Sequence, residues 1–131
     1  MNSLDLTDVL EKLEYPEATV IRVRRKRLVE NERLNAVRDA LYREAERANG
    51  PLILDLGEVE FLTSAALGWL ITLRKKLMQR GGSFQAPCRR RGLFAIFKDS
   101  AEAFQAIRNG ESDPLLLCGV SDEIMEIFQI C

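Results

Sequence analysis

"LILDLGEVEFLTSAALGWLITLRKKLMQRGG", residues 52–82, runs from a short apolar strand through an acidic loop into a long amphipathic helix. Residues 51–56 are apolar apart from Asp55, as expected of a central strand covered on both faces. Residues 64–79 carry helical periodicity, and Gly81-Gly82 supplies the stop. On a helical wheel Ala66, Leu70, Leu73 and Leu77 fall in one narrow sector, which must face the sheet. Ser64, Gly68, Ile71 and Lys75 lie in the opposite sector, so Ile71 is predicted to be an apolar side chain on a wet face.

The flanking segments repeat the same alternation of strand and helix. Residues 18–23 alternate and are β-branched, which predicts a strand. Residues 30–49 place Leu34, Val37, Leu41 and Ala45 at three- and four-residue steps, ended by Asn49-Gly50, and so form an amphipathic helix. Beyond the opening stretch come a strand at 93–97, a helix at 100–108, a strand at 115–120 and a helix at 122–130. At the other end, Leu6, Val9, Leu10 and Leu13 have helical spacing, with Ser3 or Thr7 as caps. Residues 1–17 are therefore expected to be a short N-terminal helix or an irregular arm. The whole, residues 1–131, is expected to be a single α/β domain, a mostly parallel sheet of four to five strands with helices packed against it.

Composition narrows the function. The chain has no histidine, which removes histidine-based triads, histidine phosphorelay and most zinc chemistry. Cys88, Cys118 and Cys131 are odd in number and lack CxxC spacing, so neither a disulfide framework nor a metal site is expected. With 19 basic and 20 acidic residues the net charge is −1, which does not predict direct nucleic-acid binding. The longest apolar run is too short for a membrane span, and no basic-then-apolar leader opens the chain. A cytoplasmic protein without cofactor is expected.

The hydroxyl pair Thr63-Ser64 stands where the loop meets the helix. Either residue is suited to N-cap the helix. Alternatively Ser64 is a phosphorylatable serine at the head of a partner-binding stripe, Ser64–Gly68–Ile71–Lys75. A phosphate there would meet free backbone N–H groups and the positive end of the helix dipole. It would also bring roughly −1.5 to −2 charges beside Glu58 and Glu60. Binding would be lost without unfolding, and Ile71→Asp is expected to act in the same way.

At these residues the sequence resembles the STAS-domain family, the anti-sigma factor antagonists. Residues 52–82 resemble that family's strand, loop, phosphoacceptor turn, helix and Gly-Gly. "LLLCGVSDEIMEIFQI" is similar to its following strand and helix, and "GLFAIF" to its last strand. The resemblance implies a non-enzymatic protein that binds an anti-sigma factor, commonly itself a serine kinase, and so releases a sigma factor. Phosphorylation by that kinase breaks the complex and a phosphatase restores it. The family's phosphoacceptor falls on Ser64, with Thr63 as the fallback. The implied partner surface comprises Glu58, Glu60, Thr63, Ser64, Gly68, Ile71 and Lys75.

Four features depart from the family pattern. Thr63 stands where Asp is usual, Ala65-Ala66 replace Ser-Gly, and "KRLVEN" lacks the Gly and Asp usual before the first long helix. The fourth is order: the block holding residues 93–97 precedes the block holding 115–120, whereas the family has them reversed, and Cys131 would join smoothly onto Arg89. Both blocks are strand-plus-helix units, so either order can supply the same sheet positions. Residues 115–120, the more apolar strand, are expected beside 52–56, with 93–97 at the sheet edge.

Three further features bear on function. "RVRRKR", residues 22–27, has five basic residues in six and reads as a solvated strand face running into a loop. Contact with an anionic partner surface or with RNA is the alternative. Arg89–Arg91 is read the same way. Asp55, Glu58 and Glu60 suggest a carboxylate site, but without an evident acid–base partner they predict no enzyme. Trp69 is expected to pack rather than to bind. The reading that competes with the phosphorylated antagonist is a non-phosphorylated scaffold of the same fold, stressosome-like, that assembles with copies of itself as a homo-oligomer.

Overall fold

The computed structural model describes residues 10–28, 32–47, 50–81, 94–110 and 114–130. Residues 1–9 with Ser3 and Thr7, residues 29–31, Asn49, Gly82, Cys88, Arg89–Arg91, Leu93 and Cys131 lie outside them. In chain order the elements are β1 (Leu10–Glu14), β2 (Thr19–Val23), β3 (Arg27–Leu28), α1 (Glu32–Arg47), β4 (Leu52–Asp55) and β5 (Phe61–Leu62). After these come α2 (Ser64–Gly81), β6 (Ala95–Phe97), α3 (Ser100–Arg108), β7 (Leu115–Cys118) and α4 (Asp122–Ile130).

Five strands form one sheet in the order β1-β2-β4-β7-β6, and β3 and β5 form a second, two-stranded sheet. β2, β4, β7 and β6 are mutually parallel, and β1 is antiparallel to β2. β7 sits beside β4, with Leu52 opposite Leu115 and Asp55 opposite Cys118, and β6 is the edge strand. The two exchanged blocks therefore take the expected positions. Strand alternation explains why residues 52–54 of β4 and all of β7 are apolar. Leu52, Leu54, Leu115 and Leu117 face α1, α2 and α4, while Ile53, Leu116 and Cys118 face α3. Both faces are covered there, and the one polar residue of these two strands, Asp55, stands half-buried at the carboxyl end of β4.

One expectation is corrected. Residues 10–14 are a strand, not part of a helix or arm. Leu10 packs into the cluster beneath α1 and α2, and Leu13 into the cluster beneath α3. In a strand, a spacing of three sends side chains to opposite faces; in a helix it would place them on one. Pairing along all five residues of β2, closed by the bond from Tyr15 N–H to Ala18 C=O at 3.0 Å, outweighs the helical spacing. Tyr15 then meets Phe104 edge to face at 5.1 Å, which ties the turn to α3.

Among the described residues, no helix is long and apolar enough to cross a membrane.

Candidate functional site

The carboxyl ends of β4, β7 and β6 meet where the acidic loop begins. Leu56 N–H donates to Cys118 C=O at 2.9 Å and Gly119 N–H to Phe97 C=O at 3.3 Å. Gly119 has φ +72, and a Cβ there would lie 2.9 Å from both Gly57 Cα and Gly57 N, so only glycine fits this crossing. Asp55 Oδ1 accepts from Gly57 N–H at 2.9 Å and Oδ2 from Arg22 Nε at 3.2 Å. Arg22 Nη1 also donates to Glu11 Oε1 at 3.0 Å. The hydrogen bond to Asp55 is the main reason that Arg22 titrates above the ordinary guanidinium value, reinforced by the charges of Asp55, Glu11 and Glu58. Asp55 thus uses one oxygen to hold the loop and the other to bridge β4 to β2. Among the described residues, no group of three or more His, Cys, Asp or Glu could hold a metal ion.

From this anchor the loop turns outward and back. Val59 N–H closes onto Leu56 C=O at 3.0 Å, and Val59 and Leu62 are buried while Glu58, Glu60 and Phe61 are exposed. Glu60 and Phe61 N–H both donate to Lys26 C=O, at 2.7 and 3.1 Å. β3 and β5 then pair in parallel, Arg27 opposite Phe61 and Leu28 opposite Leu62. The guanidinium of Arg27 lies 4.7 Å from the centre of the Phe61 ring, a cation–π contact. The basic stretch and the loop before Ser64 therefore share one surface.

The two hydroxyls have separate roles. Thr63 is the N-cap: its Oγ1 accepts from Ala66 N–H at 3.2 Å, and its C=O takes the first helical bond from Leu67 N–H at 2.9 Å. Ser64 is the first helical residue and is exposed. Its N–H and that of Ala65 precede the first helical bond, so helix geometry leaves them without intrahelical acceptors. With Thr63 capping, the Ser64 hydroxyl is left over.

Along α2 the core sector is as expected, with Ala66, Leu70, Leu73 and Leu77 buried. Trp69 is 7% exposed and packs in the same cluster. On the opposite sector Ser64 and Lys75 are exposed, and Gly68 would admit a Cβ with nothing within 4 Å. Ile71 departs from expectation: it is half-buried and packed against the core. α2 lies on α1 as well as on the sheet, which widens the buried arc to include Leu67. Ile71 follows Leu67 by one turn on that same side.

The exposure of Arg27 agrees with the solvated reading of residues 22–27, whereas the exposure of Phe61 and its contact with Arg27 carry no sequence signal. Val59 and Phe61 would share a face in a regular strand, but the turn at residues 57–58 and the two-residue β5 break that phase. No sequence signal marks the break.

Comparison with known proteins gives one family: the STAS domain model matches residues 10–85, more than half of the chain. No curated protein matches it.

Proposed function

The chain belongs to the STAS domain family, and from that premise we propose that it is an anti-sigma factor antagonist. It binds an anti-sigma factor, itself a serine kinase, through the surface around Ser64, and phosphorylation of Ser64 switches it off. The protein is a binding module and not an enzyme, acts in the cytoplasm, and is returned to its binding state by a phosphatase.

The observation that carries this reading is the division of labour at residues 63 and 64. Thr63 satisfies the helix end, so the exposed Ser64 hydroxyl can be modified without loss of a cap. A phosphate on Ser64 would sit at the positive end of the α2 dipole, next to N–H groups that lack intrahelical partners. The fold tolerates the group, while roughly −1.5 to −2 added charges beside the exposed Glu58 and Glu60 change what the surface can meet. Thr63, whose hydroxyl is already engaged, becomes the weaker acceptor.

The test is intact mass after incubation with ATP and the serine kinase encoded in the neighbouring operon. The expected result is a gain of one phosphate, absent in Ser64→Ala and retained in Thr63→Ala. An unchanged mass, together with self-association that grows with concentration, overturns the switch in favour of the scaffold. That second reading draws on Thr63 and Ala65-Ala66, which replace the residues the family has around its phosphoacceptor.

A further inference from the structure

The basic run at residues 22–27 divides in two when folded. Arg22 belongs to the sheet and is held by Asp55 and Glu11. Arg24, Lys26 and Arg27 are exposed and make no ion pair among the described residues, whereas Lys12, Arg38 and Arg108 each find a carboxylate. The backbone bonds from Glu60 and Phe61 to Lys26, and the pairing of Arg27 with Phe61, lay this segment alongside Phe61. Phe61 is 39% exposed, and Tyr15 is the other large apolar side chain that stands out among the described residues. Tyr15 lies against Phe104, while Phe61 has only Arg27 over its ring. Within the same run Arg25 is half-buried, its Nε sealed without a hydrogen-bond partner among the described residues.

We propose that the exposed Arg24, Lys26 and Arg27, together with the neighbouring Phe61, form a docking surface for an acidic protein partner. An aromatic anchor within a charged rim is the usual anatomy of a protein interface. A nucleic acid fits less well, because the exposed Glu58 and Glu60 stand in the same loop and would repel a continuous phosphate backbone. One face of Phe61, needed for base stacking, is also taken by Arg27. The carboxylates of a protein can be placed one by one between these groups. The surface adjoins Ser64, which follows Leu62 of β5 by two residues. Its regulation rests on the antagonist reading above; its existence does not. A phosphate at Ser64 would set negative charge against an acidic partner and drive it off.

The probes are a fluorescein-labelled peptide of Glu-Glu-Leu repeats and a labelled mixed-sequence RNA, read by anisotropy at about 50 mM and about 200 mM salt. The peptide is expected to bind the intact protein and to weaken severalfold at the higher salt. Reversal in Arg24→Glu/Lys26→Glu should weaken it by about tenfold or more, since several rim charges act together, and Phe61→Ala by severalfold. The matched reversal Arg43→Glu/Arg47→Glu, on exposed residues near the far end of α1, should change it less than about twofold. Lys26→Gln alone, which changes a side chain but no backbone bond, serves if the double variant fails to fold. Absence of peptide binding, equal loss in both charge reversals, or tighter binding of RNA overturns the surface. An unaltered affinity in Ser64→Glu overturns only its link to the switch, and a failed phosphorylation assay overturns only the antagonist reading.

Discussion

Thr63 and Ser64 are neighbouring hydroxyls in one turn, and the fold gives them opposite energetic weight. Thr63 Oγ1 holds an otherwise orphaned N–H of α2, so Thr63→Ala should lower stability by about 1 kcal/mol. Ser64→Ala removes an exposed hydroxyl and should stay within about 0.5 kcal/mol of the parent. Urea unfolding of the two variants checks the assignment; the reverse order would make Ser64 the cap and remove its free hydroxyl. Cys118 gives a second residue-scale expectation. It is fully buried at the end of β7, and burial, helped by Asp55 and Asp99, pushes its thiol from 9.0 up to about 12. The unfolded chain then releases this proton before the folded chain does. Its contribution is intact below pH 9.0, and stability is lost as pH rises from there towards about 12. The slope approaches ~1.4 kcal/mol per pH unit. Urea midpoints measured at successive pH values should show this slope in the parent, and Cys118→Ala should flatten it.

At the scale of elements, periodicity was informative wherever one environment governs a whole segment. α3 and α4 run over the expected residues 100–108 and 122–130, and β4 and β7 fall inside their apolar runs. The exposure of Glu58, Glu60, Ser64 and Lys75 was also legible. What failed to show was long-range pairing. Leu10 and Leu13 suit a helix until β2 lies alongside, and β3 and β5, two residues each, pair across the chain where Lys26 C=O receives two N–H groups from the loop. Ile71 was misplaced for a related reason: a wheel built for one neighbour, the sheet, omits α1. Its half-burial against the core changes what substitution should do. Ile71→Ala is expected to cost about 1 kcal/mol and Ile71→Asp about 2 kcal/mol or more, because a carboxylate would lie against apolar surface. The measurement is again the urea midpoint. An unshifted midpoint for Ile71→Asp would return that side chain to solvent and restore it to a partner-facing stripe.

For the whole molecule, the order of the blocks tests what the sheet requires of its connections. β2, β4, β7 and β6 are parallel, so every strand-plus-helix unit starts at one end of the sheet and its helix returns there. Steps from β2 through α1 to β4, and from β4 through α2 to β6, go in one direction with helices on one face. The step from β6 back to β7 goes the other way, and its helix, α3, lies on the opposite face. A single hand of crossover demands that reversal. The family order meets the same demand: passing through α4 from β7 out to β6 moves in the first direction, and α4 lies on the first face. Both connectivities therefore satisfy the rule with the same strands and helices in place. Closure cost rises only slowly with loop length, so a chain in which residues 111–131 precede residues 83–110 should fold to the same sheet. Its far-UV circular dichroism should match the parent, and its urea stability should lie within about 1 kcal/mol. A loss of several kcal/mol would show that the present connections at residues 82–93 and 111–113 hold the sheet together and do more than span it.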